Sequence, residues 1–174
     1  MASHFRLIWL ALLLPISIPS WSIAADMSSE YALKTAFIYN FIAFTEWPQE
    51  SGNTINLCII GKDPFGSSID ALTGKSVGNA HITVQRIAPE ESIRGCQVLF
   101  ISRSERENLS TILNNIKGLK ILTIADMENA AQQGVSISLA VEARRITFEV
   151  NAEAVKRSNL SISSKLLKLA KAIY

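Results

Sequence analysis

Few side chains in this sequence have the type and spacing to do chemistry. The most suggestive run is Gly61-Lys62-Asp63-Pro64-Phe65-Gly66, a glycine-bearing turn that follows the apolar stretch Thr54-Ile55-Asn56-Leu57-Cys58-Ile59-Ile60. A turn at the carboxyl end of a strand is where open α/β sheets bind ligands, so Lys62, Asp63, Phe65 and Gly66 form a candidate ligand or partner loop. A plainer account serves the same residues: Asp63 caps a short helix, Pro64 suits its first turn, and Phe65 enters the core. Asp126 and Glu128 are close enough to act as a carboxylate pair, but the start of a helix explains two acids there more simply. There is no Gly-x-Ser-x-Gly elbow, His-Glu-x-x-His helix, Walker lysine loop or dinucleotide fingerprint. The sequence therefore assigns no catalytic residue, no metal set and no cofactor. With 17 Lys and Arg against 15 Asp and Glu, the net charge of +2 is too small for a phosphate-neutralising surface, so nucleic acid is not an expected partner.

The chain has 174 residues, 48% hydrophobic and 18% charged, enough for one well-buried domain. Much of the apolar excess lies at one end. Arg6 precedes the run Leu7 to Leu14, and small residues at Ser22 and Ala24 suit cleavage after Ala24 or one residue later, after Ala25. Residues 1–24 read as a secretory signal peptide, because the run falls short of a membrane span and is interrupted by Pro15 and Pro19. The expected product is an exported, periplasmic domain of residues 25–174. Cleavage removes His4, Trp9 and Trp21, leaving His81 as the one histidine.

Cys58 and Cys96 are an even pair in an exported chain, the setting in which disulfides form and persist. Two buried free thiols are the alternative that sequence leaves open. A catalytic thiol has no Cys-x-x-Cys motif to support it.

The elements that must position these residues follow from periodicity. Tyr31 to Phe44 predicts a helix with Leu33, Phe37, Phe41 and Phe44 as its core stripe, ending near Pro48. Thr54–Ile60, His81–Ile87, Gln97–Ser102 and Ile121–Ile124 predict strands. A short helix carrying Ile69 and Leu72 follows the first of them. A helix capped by Ser104 runs to about Ile116, and a further short helix leads from Asp126 to Gly134. Val135–Ala140 and Arg145–Val150 form a hairpin whose solvated tip is Glu142-Ala143-Arg144-Arg145, and helices over about 152–157 and 163–172 finish the chain. Lys165, Lys168 and Lys171 give the last helix a solvated basic face. This alternation predicts an α/β fold in three layers, a mainly parallel central sheet with helices on both faces and a C-terminal hairpin.

Four segments together resemble the YfiR family of periplasmic proteins, which includes HmsC-like regulators. They are Tyr31-Ala32-Leu33-Lys34-Thr35-Ala36-Phe37-Ile38-Tyr39-Asn40-Phe41 with Trp47-Pro48, Leu57 to Gly66, Cys96 to Ser102, and Arg145 to Asn151 continuing into Leu160 to Leu167. The resemblance implies a non-enzymatic, dimeric regulator that binds the periplasmic region of a membrane-bound diguanylate cyclase and holds it inactive, lowering cyclic-di-GMP and biofilm formation. It also implies release by an outer-membrane lipoprotein. Cys58 and Cys96 match a disulfide pair of that family, while a second, short-range cysteine pair is lacking. The alternative function is a small-ligand sensor that uses the Gly61 to Gly66 turn and feeds a membrane signalling protein.

Overall fold

The computed structural model describes residues 21–48, 52–88 and 93–174. The assigned leader therefore lies mostly outside the described residues, with Trp21–Ala24 forming the start of the first helix, α1 (Trp21–Ala43).

A seven-residue run that is apolar apart from Thr54 and Asn56 makes β2 (Thr54–Ile60), which pairs in parallel with β4 (Ala80–Ile87) on one side and β5 (Val98–Ile101) on the other. Next come β6 (Leu122–Ala125) and β7 (Ile137–Glu142), also parallel. The hairpin partner β8 (Arg145–Val150) runs antiparallel to β7, and the edges are closed by β3 (Ser76–Val77) and by β10 (Ala172–Ile173). The full order is β10-β8-β7-β6-β5-β2-β4-β3. Its five parallel strands lie in the doubly wound order 2-1-3-4-5, with the topological switch between β2 and β5. A small separate ladder joins β1 (Thr45–Glu46) to β9 (Ser161–Ile162).

Strands buried on both faces alternate their side chains between two cores. Leu57, Ile59, Phe100, Leu122, Ile124 and Leu139 pack against α1. Cys58, Ile60, Leu99, Ile101 and Ala125 pack against α2 (Leu109–Asn115) and the turns after β6. The expected three-layer α/β fold is thus present. The cysteines form a disulfide, with Cα atoms 5.8 Å apart, that ties β2 to the entry of β5 inside the second core. Closing a loop across 38 residues is worth on the order of 4 kcal/mol in the chain-entropy model.

Several elements depart from the sequence expectation. The core face of α1 consists of Tyr31, Lys34, Ile38, Phe41 and Ile42, whereas Leu33 is 51% and Phe44 38% exposed. Ser104 does not cap a long helix, because its hydroxyl is engaged by the backbone of Lys62; a 3₁₀ turn at Arg103–Glu105 precedes α2. The segment from Asp126 to Gly134 is a chain of turns, reversed at Asn129 and Gly134, both with positive φ. The hairpin strands extend further than expected, to a two-residue turn at Ala143 and Arg144 with φ of 47° and 63°, the I′ geometry that matches strand twist.

The helix expected over about 152–157 is present as α3 (Ala152–Arg157), and the structure adds its cap, Asn151, whose amide also donates to Ala131 O at 2.7 Å. The last helix, α4 (Ser164–Leu167), is capped by Ser163 and is much shorter than expected. The chain instead joins the sheet, with Lys171 N donating to Phe148 O and Tyr174 N to Val150 O. Lys171 leaves the helix face accordingly and pairs with Glu142.

The shifted stripe makes a stability prediction. Phe41→Ala should cost about 3–5 kcal/mol in denaturant unfolding, and Leu33→Ala less than about 0.5 kcal/mol. Comparable losses at the two positions would contradict the assigned core face.

Candidate functional site

The carboxyl ends of β2, β5 and β6 form the crevice at the topological switch, and α1 lies across it. Each strand end delivers one segment. β2 runs into Gly61–Gly66, β5 into Ser102–Glu105, and β6 into Asp126. The first two segments are stitched together: Ser102 Oγ donates to Lys62 O at 2.6 Å and Lys62 N donates to Ser104 Oγ at 2.9 Å. Gly61 has φ of +89°, and a Cβ there would lie 2.5 Å from Ser104 Oγ, so this approach requires glycine.

The expected ligand loop is braced within the protein. Asp63 Oδ1 accepts from Phe65 N at 2.7 Å, and Oδ2 accepts from Arg86 Nε at 2.8 Å. The same guanidinium donates to Asp70 Oδ1 and to Gly66 O, holding the loop onto β4. Asp63 therefore orders the approach to the 3₁₀ helix Gly66–Leu72 without capping its first residue. Phe65 is buried, packing edge-on against Tyr31 and Phe100 with ring centroids 5.3 and 4.7 Å apart. Lys62 is exposed and meets its neighbours through its backbone.

The dominant polar group of the crevice lies outside that loop. Lys34, from the core face of α1, is 0% exposed, and its Nζ donates to Asp126 Oδ1 at 2.7 Å and to Glu30 Oε1 at 2.5 Å. The Asp126 side chain is 1% exposed; its second oxygen accepts from Tyr31 Oη at 2.7 Å. Arg103 reaches the same carboxylate from the rim, 3.5 Å from Oδ1, and its Nε donates to Asp126 O. Lys34 also stands 4.5 Å from the Tyr31 ring centre, in cation-π range. Two acids thus face two bases, and each polar atom of the buried pair is hydrogen-bonded, the condition for retaining such a pair inside a protein.

Asp126 and Glu128 do not act together as helix-start charges, since no helix begins there and Asp126 is consumed by α1. Sequence reasoning missed Lys34 because a stripe drawn through Leu33, Phe37 and Phe41 left it on the solvated side. Its spacing to Ile38, Phe41 and Ile42, four, seven and eight residues on, was the available signal. Among the described residues, no group of three or more His, Cys, Asp or Glu side chains is placed to hold a metal ion.

Burial, then the bond to Asp126, pushes the Tyr31 phenol well above its ordinary value of about 10. Folding favours the neutral phenol, so its contribution to stability is complete below pH of about 10 and is lost as pH rises from there towards the raised value. Ultraviolet titration of the phenols should show Tyr31 resisting ionisation until alkaline unfolding. Tyr31→Phe should remove the resistant step. A wild-type titration with no resistant step, or one that Tyr31→Phe leaves unchanged, would contradict this geometry.

Two solved structures share the fold. One is a conserved domain protein from Vibrio cholerae O1 biovar El Tor, with a TM-score of 0.58 and 10% identity over 83% of this chain. The other is an ABC domain from Streptococcus pneumoniae, solved in complex with L-Trp, with a TM-score of 0.55 and 9% identity over the same share. The chain spans 60% of the length of each. At these identities the likeness establishes the fold alone. The YfiR/HmsC-like family model, in contrast, matches residues 31–171, from the crevice tyrosine on α1 to the lysine that leads into the last strand. The chain belongs to the YfiR/HmsC-like family.

Proposed function

We propose that the protein is a periplasmic regulator that binds the periplasmic region of a membrane-bound diguanylate cyclase and holds it inactive. Lower cyclic-di-GMP and reduced biofilm formation follow. The observation that carries this reading is the family match over residues 31–171, since YfiR/HmsC-like proteins regulate cyclic-di-GMP signalling from the periplasm. In this proposal the protein acts as a homodimer without catalytic activity, and an outer-membrane lipoprotein relieves the inhibition by sequestering it.

Three features support the reading. The Cys58–Cys96 disulfide suits an oxidising compartment. Among the described residues, no helix is long and apolar enough to cross a membrane. The crevice in which an α/β protein of this order usually binds a ligand is occupied by the chain's own Tyr31 and Lys34, which favours action through an outer surface.

Deleting the gene should raise cellular cyclic-di-GMP and surface attachment, and expressing the full chain in trans should restore both. Unchanged cyclic-di-GMP on deletion from a strain that expresses the protein would contradict the proposal.

A further inference from the structure

A second concavity opens at the opposite, amino-terminal end of the sheet, between the last turns of α2 and α3 and the start of β6. Its volume is about 430 Å³, within the range of small-molecule sites. Thr123 and Ser136 line it and are 3% and 1% exposed. Ser136 N donates to Thr123 Oγ1 at 2.7 Å, Thr123 N lies 3.4 Å from Ser136 Oγ, and the two hydroxyl oxygens are 3.0 Å apart. One hydroxyl proton satisfies the contact between them. The other has no acceptor among the described residues, so this buried pair holds an unspent donor.

The rim supplies charge of one sign. Lys117 and Arg157 both line the cavity, both are exposed, and neither side chain makes an ion pair or hydrogen bond among the described residues. No aspartate or glutamate lines it. Leu113 and Ile116 supply an apolar wall. A basic residue at each helix end complements the helix dipole, and that alone accounts for the two charges. It accounts neither for a concavity without acids nor for a buried hydroxyl lacking an acceptor.

We propose that this cavity binds a small organic carboxylate, its oxygens taking the unspent hydroxyl donor and the Lys117 and Arg157 cations and its apolar body lying along Leu113 and Ile116. The site is separate from the Asp126 crevice, and the proposal stands independently of the cyclase partner. The test is an NMR titration of the ¹⁵N-labelled exported protein with hexanoate, and with hexylammonium as the opposite-charge control. Hexanoate should give saturable shifts at the amides of Gly118, Thr123 and Ser136, while hexylammonium gives none there. The Lys117→Ala/Arg157→Ala variant changes two exposed side chains and should keep the wild-type spectrum while binding hexanoate at least tenfold more weakly. Absence of saturable hexanoate shifts at these amides, equal affinity in the variant, or equal binding of hexylammonium would overturn the proposal.

Discussion

A lysine ammonium withdrawn completely from water must be neutralised where it lies, because the cost of leaving it unpaired exceeds that of almost any single packing defect. Lys34 meets that constraint by reaching from α1 to Asp126 at the end of β6, with Glu30 and Tyr31 completing the shell. The pairing fixes more than two residues. It sets the rotation of α1, which decides that Ile38, Phe41 and Ile42 enter the core while Leu33 and Phe44 face solvent. It also fixes the position of α1 over the switch point, so the crevice between β2 and β5 is filled from within.

The remaining parts of that edge are built to hold this arrangement. Gly61 lets the end of β2 approach Ser104, the serine hydroxyls stitch the two strand ends, and Arg86 pins Asp63, Asp70 and the carbonyl of Gly66 together. On the far face, the disulfide secures the entry of β5 to β2. The carboxyl edge is thereby closed by the protein's own side chains, while the amino edge keeps a cavity. A domain of this kind is suited to presenting surfaces, the property a binding regulator needs.

The strands were legible because three short apolar runs bounded by turn residues have few alternatives to doubly covered strands, and His81–Ile87 alternates as a half-buried strand does. The family was legible because segments scattered along the chain recur in order. What misled was local and physical. Lys34 hid on the core face because a charged side chain is ordinarily counted as solvated, and its partner is 92 residues away. Ser104 has the residue type of a helix cap, but its hydroxyl serves a long-range contact with Lys62. The run Ser163 to Ala172 has helical periodicity, yet sheet pairing with β8 claims its last residues. In each case a tertiary contact outweighed a local preference worth a fraction of a kcal/mol to about 1 kcal/mol.

The most direct test of this account is a double-mutant cycle on Lys34→Met and Asp126→Leu, read as unfolding free energies at neutral pH. Each single change removes the buried partner of a buried charge and should cost about 3–5 kcal/mol, and the double variant should cost less than their sum by about 2 kcal/mol. Additive costs, within about 0.5 kcal/mol, would show that Lys34 and Asp126 do not meet and that α1 is held over the sheet by other means.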